Sequence, residues 1–140
     1  MSFRQKTALL SALALLAAYG WYFAQVARAR TAGPLSDTAM LGLVLPTILA
    51  VVVIQVAGAV LIAIFSGERQ APMDERERGL SANAIRGAYA VLLVGALAAS
   101  ASIFFGLTAP DVANLALLAV VTAEIIRYGS YVFLHRLAAR

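Results

Sequence analysis

The chain has 140 residues, of which 62% are hydrophobic and 13% charged, with no cysteine and one histidine. A soluble domain is usually nearer half apolar and a quarter charged, so the composition indicates an integral membrane protein. The lack of cysteine excludes disulfide, thiolate-metal, iron–sulfur and cysteine-nucleophile chemistry, and one histidine leaves little for zinc or a histidine relay.

Four apolar stretches are long enough to cross a bilayer, whose hydrocarbon core of about 30 Å needs about 20 helical residues. They cover residues 7–26, 38–65, 87–107 and 110–134. Lipid offers no hydrogen-bond partner to irregular backbone, so all four are predicted to be helices. The predicted fold is an all-α, integral membrane four-helix bundle that forms one domain over residues 1–140.

The first span begins after Arg4 and Lys6, a basic start that is also typical of a cleaved signal peptide. Its apolar run, however, is about 20 residues long and ends in bulky aromatic residues, Trp21, Tyr22 and Phe23. A cleavage site would need small residues there. We therefore expect this span to be retained as a membrane anchor.

The connection between the first two spans, predicted over residues 27–37, carries a turn signal at Gly33-Pro34. Ser36 or Asp37 is expected to cap the second helix by accepting a backbone N–H bond. Pro46 lies inside that helix and removes one of its backbone hydrogen bonds, which predicts a local kink.

The segment over residues 66–86 is the strongly polar part of the chain and is predicted to be a cytoplasmic loop and helix extension. Asp74 and Glu77 have the spacing of a capping box, so the third helix should begin near Glu75 and project about three turns from the membrane. The charge run has two interpretations, a solvated helix start or a docking surface for a partner. The residues of this run are Asp74, Glu75, Arg76, Glu77 and Arg78.

The third span carries a row of small residues at helical spacing. They are Ala84, Ala88, Gly95, Ala99, Ser102 and Gly106. Close backbone approach supplies much of the association energy between helices in lipid, so this row should face another helix. That helix belongs either to the same chain or to a second copy. The short connection at residues 108–111 predicts a tight hairpin with the fourth span.

Polar groups inside two of the spans are predicted to lie at a similar depth in the membrane. At about 1.5 Å per residue, Glu124 and Arg127 lie about 21 and 25 Å from the start of the fourth span, and Gln55 lies about 25 Å into the second. Each buried charge costs about 2.5–3.5 kcal/mol, so these residues should have partners. Three interpretations stay open: a structural ion pair, an ion-linked transport site in which Glu124 titrates, and a switch that opens when a ligand or partner binds.

The fourth helix also carries a polar stripe of Glu124, Tyr128, Tyr131 and His135. His135 could ligate a pigment, but an interfacial histidine without that role is the simpler interpretation. The acidic residues before the third span are neutralised by adjacent arginines. We therefore predict no catalytic residue, no cofactor and no metal site.

Basic residues predict the orientation, because they concentrate in the cytoplasmic segments of membrane proteins. Eight of them lie in the two tails and in the loop after the second span, against Arg28 and Arg30 on the other side. The eight are Arg4, Lys6, Arg69, Arg76, Arg78, Arg86, Arg136 and Arg140. Both termini are therefore predicted to be cytoplasmic. Topology and anionic lipid account for the net charge of +4, so no direct nucleic-acid binding is expected.

Two segments in the second half of the chain carry a recognisable pattern. They are Met73-Asp74-Glu75-Arg76-Glu77-Arg78 leading into Ala88-Tyr89, and Ala123-Glu124-Ile125-Ile126-Arg127-Tyr128-Gly129 followed by His135-Arg136. With these segments the chain resembles a family of small uncharacterised prokaryotic membrane proteins that have four spans and a D-E-R-[DE] motif before the third. The resemblance implies the same four-span fold. Members of that family often accompany helix-turn-helix transcription regulators, so the resemblance implies a membrane-bound regulatory partner. The family has no established activity to carry over to this chain.

Together these patterns predict a non-enzymatic, multi-pass protein of the prokaryotic inner membrane that acts by association. It would be a membrane-bound regulatory partner of a cytoplasmic protein or an accessory subunit of a larger membrane complex, with a homo-oligomer also expected. The alternative is a small oligomeric transporter or channel that uses the Glu124, Arg127 and Gln55 layer.

Overall fold

The computed structural model describes residues 3–34, 36–66 and 74–137. It contains four long helices, α1 (Phe3–Ala32), α2 (Asp37–Ser66), α3 (Glu75–Ala101) and α4 (Ala109–Leu137). All four are long and apolar enough to cross a membrane, so the predicted all-α four-helix membrane bundle is confirmed. The polar loop around Arg69 and Met73 and the basic tail at Arg140 lie outside the described residues.

The first helix is longer at both ends than the predicted span and takes up most of the predicted loop. It runs to Ala32 because the alanine- and arginine-rich segment after the aromatic residues favours helix. Gly33 then adopts a φ of 146°, and Pro34 follows, which ends the helix. Ser36 caps α2 as predicted, since its Oγ accepts a 3.2 Å hydrogen bond from the backbone N–H of Ala39.

Helix α3 begins at Glu75, as the sequence predicts. Asp74 is its cap, with a carboxylate that accepts a 2.7 Å hydrogen bond from the Glu75 backbone N–H. Glu77 does not complete the predicted capping box, because its carboxylate bonds Arg4 on α1 and His135 on α4. The start of α3 is therefore packed between two other helices and does not stand clear of the bundle.

The far end of α3 tightens into a 3₁₀ helix, Ser102–Phe105, before the chain turns. Gly106 then takes the left-handed conformation with a φ of 76°, which a residue with a side chain rarely adopts. The backbone N–H of Asp111 bonds the Thr108 carbonyl at 2.9 Å, in the first turn of α4. The predicted tight hairpin between the third and fourth helices is present.

Helices α1 and α4 form the centre of the bundle, with α2 packed on α1 and α3 packed on α4. The small-residue row of α3 packs within the chain, with Gly95 against α4 and Ala84 beside residues of α1 and α4, whereas Gly106 lies in the turn beyond the helix. A Cβ on Gly95 would lie 2.4 Å from the Cβ of Ala119. Four further members of the row, Ala84, Ala88, Ala99 and Ser102, are buried.

The buried residues form two clusters, one toward each end of the bundle. We call the end where α1 and α3 begin and α4 ends the terminal end. The opposite end, with the turns after α1 and before α4, is the hairpin end. The terminal cluster contains Ala8, Ala84, Tyr131 and Val132. The larger cluster, nearer the hairpin end, contains Leu15, Tyr19, Tyr22, Val26, Val51 and Val121.

Helix α2 is the most exposed of the four, with burial limited to the strip that faces its neighbour α1. The helix continues through Pro46, and Thr47 donates a 2.7 Å hydrogen bond from its Oγ1 to the Leu43 carbonyl in the same region. The outward residues of this helix are almost all aliphatic, a composition suited to contact with lipid chains.

Candidate functional site

Glu77 ties three helices together at the terminal end. Its Oε2 accepts a 2.9 Å hydrogen bond from Nη1 of Arg4, and its Oε1 lies 3.2 Å from Nε2 of His135. The ring of His135 stands edge-on to Tyr131, with 5.5 Å between the ring centres. The three charged or polar side chains are each only about a fifth exposed. Glu77 therefore fixes the start of α3 against α1 and α4.

The structure divides the charge run before the third span into two parts. Glu77 faces inward, whereas Asp74, Glu75, Arg76 and Arg78 are exposed at the start of α3. The exposed residues carry both acidic and basic side chains. The Glu77 carboxylate fixes the position of the helix that bears them. Four of the five residues predicted as a docking surface are thus available on the outside of the bundle.

Glu124 and Arg127, predicted to pair across one turn, do so. Nη1 of Arg127 lies 3.1 Å from both carboxylate oxygens of Glu124, and the guanidinium sits 4.9 Å from the centre of the Tyr128 ring. Their side chains are 36% and 43% exposed, so the pair lies at the surface of α4 rather than in its packed face. The half-buried Gln55 belongs to α2, which packs on α1, and the prediction that it shares a layer with the pair stays a prediction.

A cavity of about 180 Å³ lies beside this pair, between α1, α3 and α4 at the terminal end. Two alanines and six polar residues line it, namely Arg4, Thr7, Ser81, Arg127, Tyr128 and Tyr131. Tyr131 is 8% exposed, and its hydroxyl oxygen is buried with no hydrogen-bond partner among the residues described. Buried polar groups are normally satisfied, so this hydroxyl has unused hydrogen-bonding capacity.

The hairpin end is held by a second polar group that the sequence reasoning missed. Tyr22 is completely buried and donates a 2.6 Å hydrogen bond to Oδ1 of Asn114, whose Nδ2 donates to the Pro110 carbonyl at 2.8 Å. Arg30 and Asp111 form an ion pair nearby. A lone asparagine early in an apolar span was the available signal, because an amide in lipid needs a partner.

Within residues 3–34, 36–66 and 74–137, no group of three or more His, Cys, Asp or Glu side chains is arranged to hold a metal ion. The polar contact at the terminal end illustrates why, since Glu77 and His135 supply one carboxylate and one imidazole beside the guanidinium of Arg4. A guanidinium is a donor only and cannot ligate a cation. The chemistry available at this end is hydrogen bonding and charge pairing.

Comparison of the chain with protein-family models, with curated proteins and with solved structures finds no match. The resemblance to small four-span prokaryotic proteins therefore stays a prediction, and the functional proposal rests on the geometry of the chain itself.

Proposed function

We propose that this protein acts by association, without enzymatic activity, in the inner membrane of a prokaryote. It would serve as a membrane-bound regulatory partner of a cytoplasmic protein or as an accessory subunit of a larger membrane complex. The observation that carries the proposal is the start of α3, where a charged outward face is joined to an inward anchor. The exposed residues of that face are Asp74, Glu75, Arg76 and Arg78.

Anchoring favours binding because a surface that is already ordered loses less conformational entropy when a partner docks. Glu77 supplies the anchor through Arg4 and His135, each on a different helix. The exposed face carries both acidic and basic side chains. Such a pattern selects a partner with complementary charge more than it adds raw affinity.

The basic residues support an orientation in which this face is cytoplasmic. Arg4 and Lys6 lie at the terminal end with Arg76 and Arg78, on the same end of the bundle as the start of α3. Cytoplasmic segments carry the excess of lysine and arginine in most multi-pass proteins. With this orientation, the proposed contact face would be open to soluble proteins of the cytoplasm.

The proposal is tested by neutralising the exposed face while the net charge stays constant. We expect Glu75→Gln combined with Arg78→Gln to remove a specific partner from complexes cross-linked in native membranes and measured by quantitative mass spectrometry. The matched control is Arg28→Gln combined with Asp37→Asn, since both residues are exposed at the hairpin end. Equal recovery from both variants would show that the face is not the contact. Failure of the unaltered chain to retain any partner would remove the proposal.

A transporter is the second candidate, and the observation in its favour is that Arg127 both pairs with Glu124 and lines the cavity at the terminal end. The centre of the bundle is filled by the contact between α1 and α4, so a pathway would need a second copy of the chain. Native mass spectrometry gives the copy number, and flux into proteoliposomes gives the activity. A monomer without flux excludes this candidate.

A further inference from the structure

The described residues that line the cavity at the terminal end are two arginines, four hydroxyl-bearing residues and two alanines, and none of them carries a carboxylate. Glu77 and Glu124, which pair with the two arginines of the wall, are not among the residues that line it. The wall therefore includes two arginines, one from α1 and one from α4. The hydroxyl-bearing residues that complete it are Thr7, Ser81, Tyr128 and Tyr131.

Two of these groups have unused hydrogen-bond donors. Arg127 uses only Nη1 to reach Glu124, so its Nε and Nη2 groups make no bond to any residue that the structure describes. Tyr131 is also part of the wall, and its buried hydroxyl has no hydrogen-bond partner among the described residues. Donors without a protein partner can bond an acceptor that enters the cavity.

We propose that this cavity binds an oxyanion of the phosphate class, carried either by the headgroup of an anionic lipid or by free phosphate. The planar fork of a guanidinium matches the geometry of phosphate oxygens, and hydroxyl groups from the neighbouring helices supply further donors. A single water needs only about 15 Å³ of such space, so a cavity of about 180 Å³ has room for a phosphate group.

The depth of the cavity agrees with a headgroup. Helix α4 has 29 residues and is therefore about 43 Å long, some 13 Å more than the hydrocarbon core. Its last turns thus reach the level of lipid phosphates, and Tyr131 lies within two turns of its end. Basic pockets between helices at that level are a known form of anionic-lipid site. This inference does not depend on a protein partner.

The test uses the full chain, purified in a non-ionic detergent and titrated calorimetrically with two probes, inorganic phosphate and dihexanoyl phosphatidylglycerol. We expect saturable binding of at least one probe. Tyr131→Phe should weaken it about fivefold through the loss of one hydroxyl donor. Glu124→Gln combined with Arg127→Gln should weaken it at least about tenfold through the loss of one guanidinium, with the net charge unchanged.

The matched control is Arg30→Gln combined with Asp111→Asn, which removes an ion pair at the hairpin end and should leave the affinity unchanged. Binding of both probes would identify phosphate itself as the recognised group, and binding of the lipid alone would identify a headgroup site. Both results support the proposal. It is overturned if neither probe binds saturably, or if both cavity variants keep full affinity. Thermal unfolding of each variant verifies that lost binding is not lost folding.

Discussion

The two ends of the bundle are both held by polar contacts between helices, but they differ in how completely those contacts are satisfied. At the hairpin end, the tyrosine hydroxyl of Tyr22 reaches the amide oxygen of Asn114, and the amide nitrogen reaches a backbone carbonyl. At the terminal end, the hydroxyl of Tyr131 is buried with no hydrogen-bond partner among the described residues, and Tyr131 lines a cavity together with two arginines.

This difference separates a contact that serves folding from one that has unused hydrogen-bonding capacity. A satisfied, buried hydrogen bond in a membrane protein fixes one helix against another and leaves no donor for a ligand. An unsatisfied donor beside a cationic cavity contributes no hydrogen bond to the fold and can bond an acceptor that a ligand supplies. We therefore interpret the polar contacts at the hairpin end as structural, and we expect ligand binding at the terminal end.

The largest effect is expected at the α3–α4 interface, which connects the two ends. Gly95→Ala places a Cβ 2.4 Å from the Cβ of Ala119 and 3.2 Å from its Cα, so the backbones must move apart. We expect the free energy of unfolding in mixed micelles to fall by about 3 kcal/mol. Gly87→Ala on the same helix meets nothing within 4 Å and should not destabilise. Similar losses for both would mean that α3 does not pack on α4 as described.

The next effect concerns the anchor at the terminal end. Glu77→Ala removes the acceptor shared by Arg4 and His135, and we expect a loss of about 2 kcal/mol in the same unfolding measurement. Glu75→Ala, two residues away and exposed, serves as the control and should change little. If the two variants were equally stable, the start of α3 would not be anchored.

The direct test of the comparison is a matched pair of tyrosine variants. Tyr22→Phe removes a hydroxyl that donates to Asn114 and should cost about 1 kcal/mol of unfolding free energy. Tyr131→Phe removes a hydroxyl without a partner and should cost nothing when no ligand is bound. A loss in Tyr131→Phe equal to that in Tyr22→Phe would contradict the contrast between the two ends.

The smallest effect is expected from the ion pair on α4. Glu124→Gln breaks a contact within one turn of one helix, between side chains that are each more than a third exposed. We expect a change of about 0.3 kcal/mol, typical of pairs three residues apart on a helix. A loss as large as that from Glu77→Ala would instead show that the pair joins separate helices.

The sequence predicted the elements well because membrane helices are specified locally. Lipid allows only satisfied backbone, so long apolar runs led directly to four helices, and Ser36 and Asp74 acted at the two helix starts where caps were expected. The errors came at the boundaries. The helical segment after Val26 is rich in arginine and was assigned to a loop, although arginine and alanine both favour helix.

The candidate site was predicted only in part, because its members come from different helices. Glu124 and Arg127 pair as expected, since three residues along one helix fix their proximity. The sequence predicts Glu77 both as part of a capping box and as part of a docking surface, and nothing in its own segment indicates Arg4 or His135. The position of Asn114 in an apolar span indicates that its amide needs a hydrogen-bond partner. Spacing along the sequence does not identify that partner, which is Tyr22 on α1.

The sequence alone determined that the chain is a bundle of four membrane helices, that two of the helix starts are capped, and that Glu124 and Arg127 are close enough to pair on α4. These properties depend on hydropathy and on spacing within one helix. Only the tertiary structure decided that the small residues of α3 pack within the chain, that Glu77 turns inward, and that the Tyr131 hydroxyl is buried with no hydrogen-bond partner among the described residues. Contacts between helices depend on how the helices are placed and rotated, and no local pattern specifies that placement.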